Sequence, residues 1–218
     1  MQRLVIAIDG YAASGKGTLA RRIAGSLGLR YLETGLLYRA VGAIMADRNL
    51  DINDEKEAFN VAKNLGCDSI DDTSLRGSVI GRYASRVAAH PGVREALLGF
   101  QRDFACGSPG AVLDGRDIGT VVCPDASVKF FVTADLDDRV RRRLKDLVAT
   151  GCDVDYDTVR EDIESRDHLD ANRCVAPLRP ASGAHVLNTS LLDRERTFDT
   201  AMVVIMAAIG AESKDLRE

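Results

Sequence analysis

Much that would send this chain elsewhere is missing from it. No run of about 18 apolar residues is present to cross a bilayer. No basic segment followed by an apolar stretch of signal length precedes the first apolar run, so a cytoplasmic location without membrane contact is expected. Cysteine is sparse: Cys67, Cys106, Cys123, Cys152 and Cys174 are odd in number and scattered, with no Cys-x-x-Cys and no metal-ligand pairing. They read as reduced, mostly structural thiols. The three histidines, His90, His168 and His185, lie far apart, so neither a Ser-His-acid arrangement nor a His metal site is assigned. Positive charge is not in excess either, since 29 Lys and Arg face 33 Asp and Glu for a net charge of -4. That balance argues against a nucleic-acid backbone as partner. No internal repeat or low-complexity segment is visible.

What is present begins at Leu4. Leu4, Val5, Ile6, Ala7 and Ile8 have the length and β-branched content of a strand buried on both faces, and Asp9 and Gly10 are expected to end it. Gly10, Tyr11, Ala12, Ala13, Ser14, Gly15 and Lys16 then follow the spacing of a P-loop, whose backbone N–H groups surround phosphate oxygens while the Lys supplies charge. Thr18 is read as opening a helix carrying Leu19, Ile23 and Leu27, with Gly28 as its stop, so that the helix N-terminus faces the phosphate. Gly17 stands where Ser or Thr commonly follows the Lys. No Asn-Lys-x-Asp guanine motif accompanies the loop, which excludes a GTPase switch.

At 218 residues, 45% hydrophobic and 28% charged, the chain fits one α/β domain with insertions. Residues 30–45 read as a short extended piece, a turn at Thr34 and Gly35, and a helix carrying Leu36, Leu37, Ala40, Val41, Ile44 and Met45. Arg39 lies off that stripe, where spacing alone fits a solvated charge as well as a site residue. Residues 47–80 are polar and weakly periodic, with Asp51, Asp54, Glu55, Asp68, Asp71 and Asp72 clustered, and read as a small helical or irregular insert. Pro91 suits the first turn of a helix with Val93, Leu97, Phe100 and Phe104 on one face, and Arg94 and Arg102 off it.

Ala111, Val112 and Leu113 form a short buried strand that runs into Asp114, Gly115, Arg116 and Asp117. Ligands gather at the carboxyl ends of strands in an open α/β sheet, so this charged turn belongs with the P-loop. Residues 128–133 read as a strand. Residues 137–148 read as a helix with Val140, Leu144, Leu147 and Val148 inward, and Arg139, Arg141, Arg142 and Arg143 as its solvated face. Residues 150–173, with Arg166, Asp167, Asp170 and Arg173, are read as a lid, an ordinary charged helix being the alternative. A strand over 184–187 and a helix over 197–209 close the chain.

The stretches IDGYAASGKGT, YLETGLLYRA, SRVAAHPGVREALL, LDGRDIGTVVCPDA and RDHLDANRCVAPLRPA, in this order, resemble cytidylate kinases over nearly the whole chain. The resemblance implies a five-stranded parallel sheet flanked by helices, with an acceptor-binding insert near 35–90 and a lid at 150–173, in a single domain over 1–218. It implies transfer of the γ-phosphoryl group of ATP to CMP or dCMP by a monomer, with Mg²⁺. Gly10 to Thr18 would bind ATP. Thr34, Arg39, Ser85, Arg94, Arg116, Asp117, Arg166, Asp170 and Arg173 would bind the acceptor, and Lys16, Arg116, Arg166 and Arg173 would be catalytic. Thr18 and Asp114 are the candidates for the metal shell. Glu33 and Leu169 depart from the pattern, replacing an Asp and a lid Arg, and the insert looks short, which bears on CMP against UMP. A kinase for UMP, AMP or shikimate, or a non-catalytic nucleotide-binding module, are the other readings.

Overall fold

A computed structural model describes residues 3–66, 75 and 77–215. In chain order its elements are β1 (Leu4–Gly10), α1 (Lys16–Leu27), β2 (Arg30–Glu33), α2 (Gly35–Asp47), α3 (Glu55–Lys63), α4 (Ser78–Val87) and α5 (Pro91–Ala105). They continue as β3 (Gly110–Gly115), a π-helical turn (Ile118–Val122), β4 (Val128–Thr133), α6 (Leu136–Ala149), α7 (Tyr156–Asn172), β5 (His185–Asn188) and α8 (Arg194–Asp215). The five strands form one parallel sheet in the order β2-β3-β1-β4-β5.

The continuous apolar run of β1 follows from its position at the centre, where both faces are covered. One face carries Ile6, Ile8, Val112, Phe130 and Val132 against Leu19 and Ile23 of α1 and Ala201 and Ile205 of α8. Burying a side chain such as Ile23 contributes about 2 kcal/mol. The other face carries Ala7, Ala111 and Leu113 against Ala105 of α5, with Ile118 and Val122 of the π-helical turn. α2, α3, α4 and α5 enclose a core of their own around Leu37, Val41, Met45, Val87, Val93 and Leu97. α6 and α7 share Val140, Leu147, Val159 and Ile163.

Several boundaries differ from the expectations. β1 continues through Asp9 and Gly10, which pair with Phe131 and Val132. It can do so because residue 10 is glycine: a Cβ there would lie 2.1 Å from the Val132 carbonyl oxygen. α1 begins at Lys16, after the left-handed Gly15 (φ 88), so Thr18 lies within its first turn. Gly28 (φ 64) stops it as expected. Val148 is 57% exposed, not inward, because Val140, Leu144 and Leu147 already complete the stripe that meets α7.

The insert is helical where it is described, and the Asp54 side chain caps α3 by accepting from the Lys56 and Glu57 N–H groups. Cys67, Asp68, Asp71 and Asp72 lie outside the described residues. Cys106, Cys152 and Cys174 are exposed, so of the four described thiols only the half-buried Cys123 has a packing role. Among the described residues no helix is long and apolar enough to cross a membrane.

Candidate active site

The strand order turns at β1 and β3, and the loops after their carboxyl ends therefore open on the same side of the sheet. A cavity of about 210 Å³ lies there. It is lined by Ala12, Ala13 and Lys16 from the P-loop, by Thr34 and Arg39 of the β2–α2 junction, by Ser85 and Arg94, and by Asp114, Arg116 and Asp117. Arg166, Asp170 and Arg173 line its far wall. Residues spread over more than 150 positions of sequence thus meet in one space. Gly10, Tyr11, Ser14, Gly15, Gly17 and Thr18 are not on its wall. Thr18 is solvent-exposed in the first turn of α1.

Lys16 Nζ lies 3.5 Å from the Tyr11 carbonyl oxygen. Burial, helped by the Arg116 charge, lowers its pKa to about 8. Thr34 is anchored twice to one acceptor, its N–H and Oγ1 donating to the Asp114 carbonyl oxygen at 3.0 and 2.8 Å. Arg39 donates to the Leu75 carbonyl at 2.6 Å. Burial and the Arg166 charge bring Arg39 down to about 10. These two guanidinium groups converge on α4: a Cβ at Gly81 would lie 3.3 Å from an Arg166 nitrogen and 3.4 Å from one of Arg39.

The remaining charges are interlocked. Arg116 Nε donates to Asp170 Oδ2 at 2.8 Å. Burial opposes its charge, but Asp170, with Asp167 and Asp114, outweighs burial and raises its pKa. Arg94 donates to Asp117 and, at 3.2 Å, to the Ala88 carbonyl, and its guanidinium lies over the Tyr38 ring. Arg173 stands 3.7 Å from both Asp117 and Asp170. Burial works against the Asp170 carboxylate, yet Arg116, Arg173 and Arg166 hold its pKa below the ordinary value. Among the described residues Arg166 Nε and Arg173 Nη2 are buried without a hydrogen-bond acceptor. Unspent donors on a cationic wall suit phosphate oxygens.

The arginines of α6 were expected in solvent, and three of the four are not. Arg139 is 7% exposed; it donates to Asp167 of α7, to the Ala134 and Ala12 carbonyls, and covers the Tyr11 ring. Arg142 grips Thr189 by its hydroxyl and carbonyl at 2.7 and 2.8 Å. Arg143 lines the cavity, as do Tyr38 and Asp146, none of which the sequence reading picked out. Arg141 alone behaves as expected, 3.0 Å from Asp138 at the surface. The spacing could not distinguish them, because Arg139 and Arg142 find their partners in segments distant in sequence, at Asp167 and Thr189. Leu169 is 39% exposed and absent from the cavity wall, while Glu33 is on it.

Among the described residues no three His, Cys, Asp or Glu side chains group as a metal cage. An oxygen donor is nevertheless at hand in the Asp114 carboxylate, 2% exposed and beside Gly17, while Thr18 presents its hydroxyl to solvent in the first turn of α1. Such a donor fits Mg²⁺, a hard cation that takes one or two protein oxygens and draws its other ligands from water and substrate phosphates.

A glycine-rich loop and a lysine facing converging arginines, on a parallel sheet, define a phosphotransferase of the P-loop class. The comparisons narrow this. The cytidylate kinase family model matches residues 6–206. The cytidylate kinase of Paramagnetospirillum magneticum is 54% identical over 204 residues, 92% of this chain and 97% of that protein. That of Azorhizobium caulinodans is 53% identical over 208 residues, 95% of this chain and 100% of the other. An uncharacterized protein from Eubacterium ventriosum shares the fold, with a TM-score of 0.56 at 14% identity over 93% of this chain and 98% of its own. The chain belongs to the cytidylate kinase family.

Proposed function

We propose that this chain transfers the γ-phosphoryl group of ATP to CMP or dCMP, giving ADP and CDP or dCDP, by direct in-line transfer in the cavity described. The observation that carries this reading is the meeting of Lys16 with Arg39, Arg116, Arg166 and Arg173 around one space. Phosphoryl transfer spreads negative charge over oxygens in line, so fixed cations aimed at that charge supply most of the catalysis. The proposed donor site is the P-loop, residues 10–18, with Lys16 on the outer phosphates. Arg39 takes the acceptor phosphate, and Arg116, Arg166 and Arg173 clamp the group in transit. Arg94 and Asp117, already locked to each other, offer fixed donors and acceptors to the cytosine together with Ser85, while Thr34 and Asp170 border the acceptor.

Mg²⁺, held by Thr18 and Asp114 through water, would draw charge from the donor phosphates when bound with ATP. The segment 150–173 is the proposed lid and 35–90 the proposed acceptor insert of a single domain. With α7 over the cavity, water is kept from the donor and wasteful hydrolysis is limited. One chain supplies every residue named, and a cytoplasmic monomer is the proposed working unit.

The test is ADP production from Mg-ATP with CMP, dCMP, UMP, AMP and GMP supplied one at a time. Turnover is expected with CMP and dCMP, at least about 100-fold above AMP and GMP, because buried polar groups left unpaired by a wrong base cost that much or more. Comparable turnover on UMP would mean that the Arg94, Asp117 and Ser85 contacts do not select cytosine. No turnover on any acceptor would overturn the proposal.

A further inference from the structure

Position 17 follows the P-loop lysine, where the common motif places a Ser or Thr hydroxyl on the metal. Here it is glycine, and the space beside it is filled. A Cβ added at Gly17 would lie 3.0 Å from Asp114 Oδ2 and 3.7 Å from Tyr31 Oη. The two oxygens are joined, Tyr31 Oη donating to Asp114 Oδ2 at 3.0 Å. A side chain at position 17 would press on Asp114 Oδ2, which would have to give by a few tenths of an ångström, and would stand in contact with Tyr31 Oη, so the glycine leaves this pair its room.

Both partners are held from behind. Tyr31 belongs to β2 and Asp114 to the neighbouring β3, with Tyr31 paired to Val112 and Glu33 to Asp114, so Tyr31 and Asp114 rise from the same face of the sheet, the face that α1 covers. The Arg21 guanidinium of α1 lies 5.2 Å from the centre of the Tyr31 ring. Asp114 is 2% exposed and cannot swing out to water. A buried carboxylate with free rotation about its last bond would present either oxygen to the P-loop. The phenol fixes which one it presents.

We propose that Tyr31 is a positioning residue for the reaction: its hydroxyl fixes the Asp114 carboxylate beside Gly17, where that carboxylate does for the donor's Mg²⁺ what a residue-17 hydroxyl does in other P-loops. The proposal rests on the reading of Asp114 as part of the metal shell. Outer partners that orient a ligating carboxylate are worth about 10-fold or more in metal affinity. The bland alternative is a tyrosine that serves only as packing at the edge of α1. Tyr31→Phe separates the two, because it keeps the ring and removes one hydroxyl.

The experiment is calorimetric titration of the intact protein, Tyr31→Phe and Asp114→Asn with ADP in EDTA and with ADP in Mg²⁺. The expected result is a ratio of Mg-ADP to ADP affinity about 10-fold lower in Tyr31→Phe, with ADP alone bound as in the unaltered protein. The Mg²⁺ midpoint of turnover should rise by a similar factor, with kcat at saturating Mg²⁺ changed by less than about threefold. An unchanged ratio in Tyr31→Phe beside a lowered ratio in Asp114→Asn would overturn the role of Tyr31 and leave the metal shell standing. An unchanged ratio in both variants would overturn the reading of Asp114 itself.

Discussion

Asp9 ties the central strand to the turn that follows its neighbour. Its two oxygens accept from the Ile118 and Gly119 N–H groups at 2.7 and 2.8 Å, and so satisfy the first donors of the π-helical turn. Burial raises its pKa from 3.8 to about 6, against the pull of those two N–H groups. The sign follows from linkage. Between pH 4 and 6 the folded protein keeps a proton on Asp9 that the unfolded chain has released, so this group's contribution to stability falls as pH rises, by about 3 kcal/mol in all. In Asp9→Asn that pH dependence is gone, but one amide edge now meets an N–H with a donor, which costs about 1–3 kcal/mol. Urea denaturation of both proteins should therefore show Asp9→Asn less stable near pH 4, with the gap closed or reversed near pH 7. A gap that widens toward pH 7 would contradict the raised pKa. The carboxylate itself was legible only as the end of a strand, because nothing in the spacing of residues 9 and 118 announces that they meet.

At the scale of elements, the strands and the helix stops were legible and the charged helix faces were not. Apolar runs of three to six residues with β-branched content define β1, β3 and β4 to within a residue or two, and Gly28 and Pro91 mark the end of α1 and the start of α5 through their own backbone preferences. The DGRDIGTVV stretch pointed to the site before any geometry, because alternating charge after an apolar strand has few other uses. The α6 arginines failed the same test, since the partners of the buried ones lie far along the chain, 47 positions on in the case of Arg142 and Thr189 and 28 in the case of Arg139 and Asp167. Those two side chains are 8% and 15% exposed. Breaking a buried pair from one side leaves a charge without compensation, so Arg139→Ala should cost about 3 kcal/mol of unfolding free energy. Asp167 feels the loss most, as its Oδ1 already has no hydrogen-bond partner among the described residues. The double variant Arg139→Met with Asp167→Leu should recover most of it, and a double variant no better than the single would place the cost in the Ala12 and Ala134 contacts instead.

Across the whole molecule, the cavity brings Lys16, Arg39, Arg116 and Arg166 together with Glu33, Asp114, Asp146 and Asp170 on one wall, and cations held close in a buried space disfavour one another's charge. The cost is visible in Arg166, whose pKa is lowered by burial first and by the Arg116 charge next. Its Nε has no acceptor among the described residues, and its guanidinium and that of Arg39 both lie against Gly81. A site arranged for a phosphoryl group in transit holds such a cation at the expense of the empty fold. Arg166→Met, which keeps the aliphatic volume, should then make the substrate-free protein more stable by about 1 kcal/mol, a rise of about 2–4 °C in Tm for a chain of this size. The same change should lower kcat by about 100-fold or more, because the proposed clamp uses the cation where charge develops. Adding CMP with a non-hydrolysable ATP analogue should reverse the order of Tm, since bound phosphates repay Arg166 only in the unaltered protein. A substrate-free variant that melts below the unaltered protein would show that Asp170 and Asp162, which favour the charged arginine, outweigh burial and repulsion, and that the cluster is settled before any phosphate arrives.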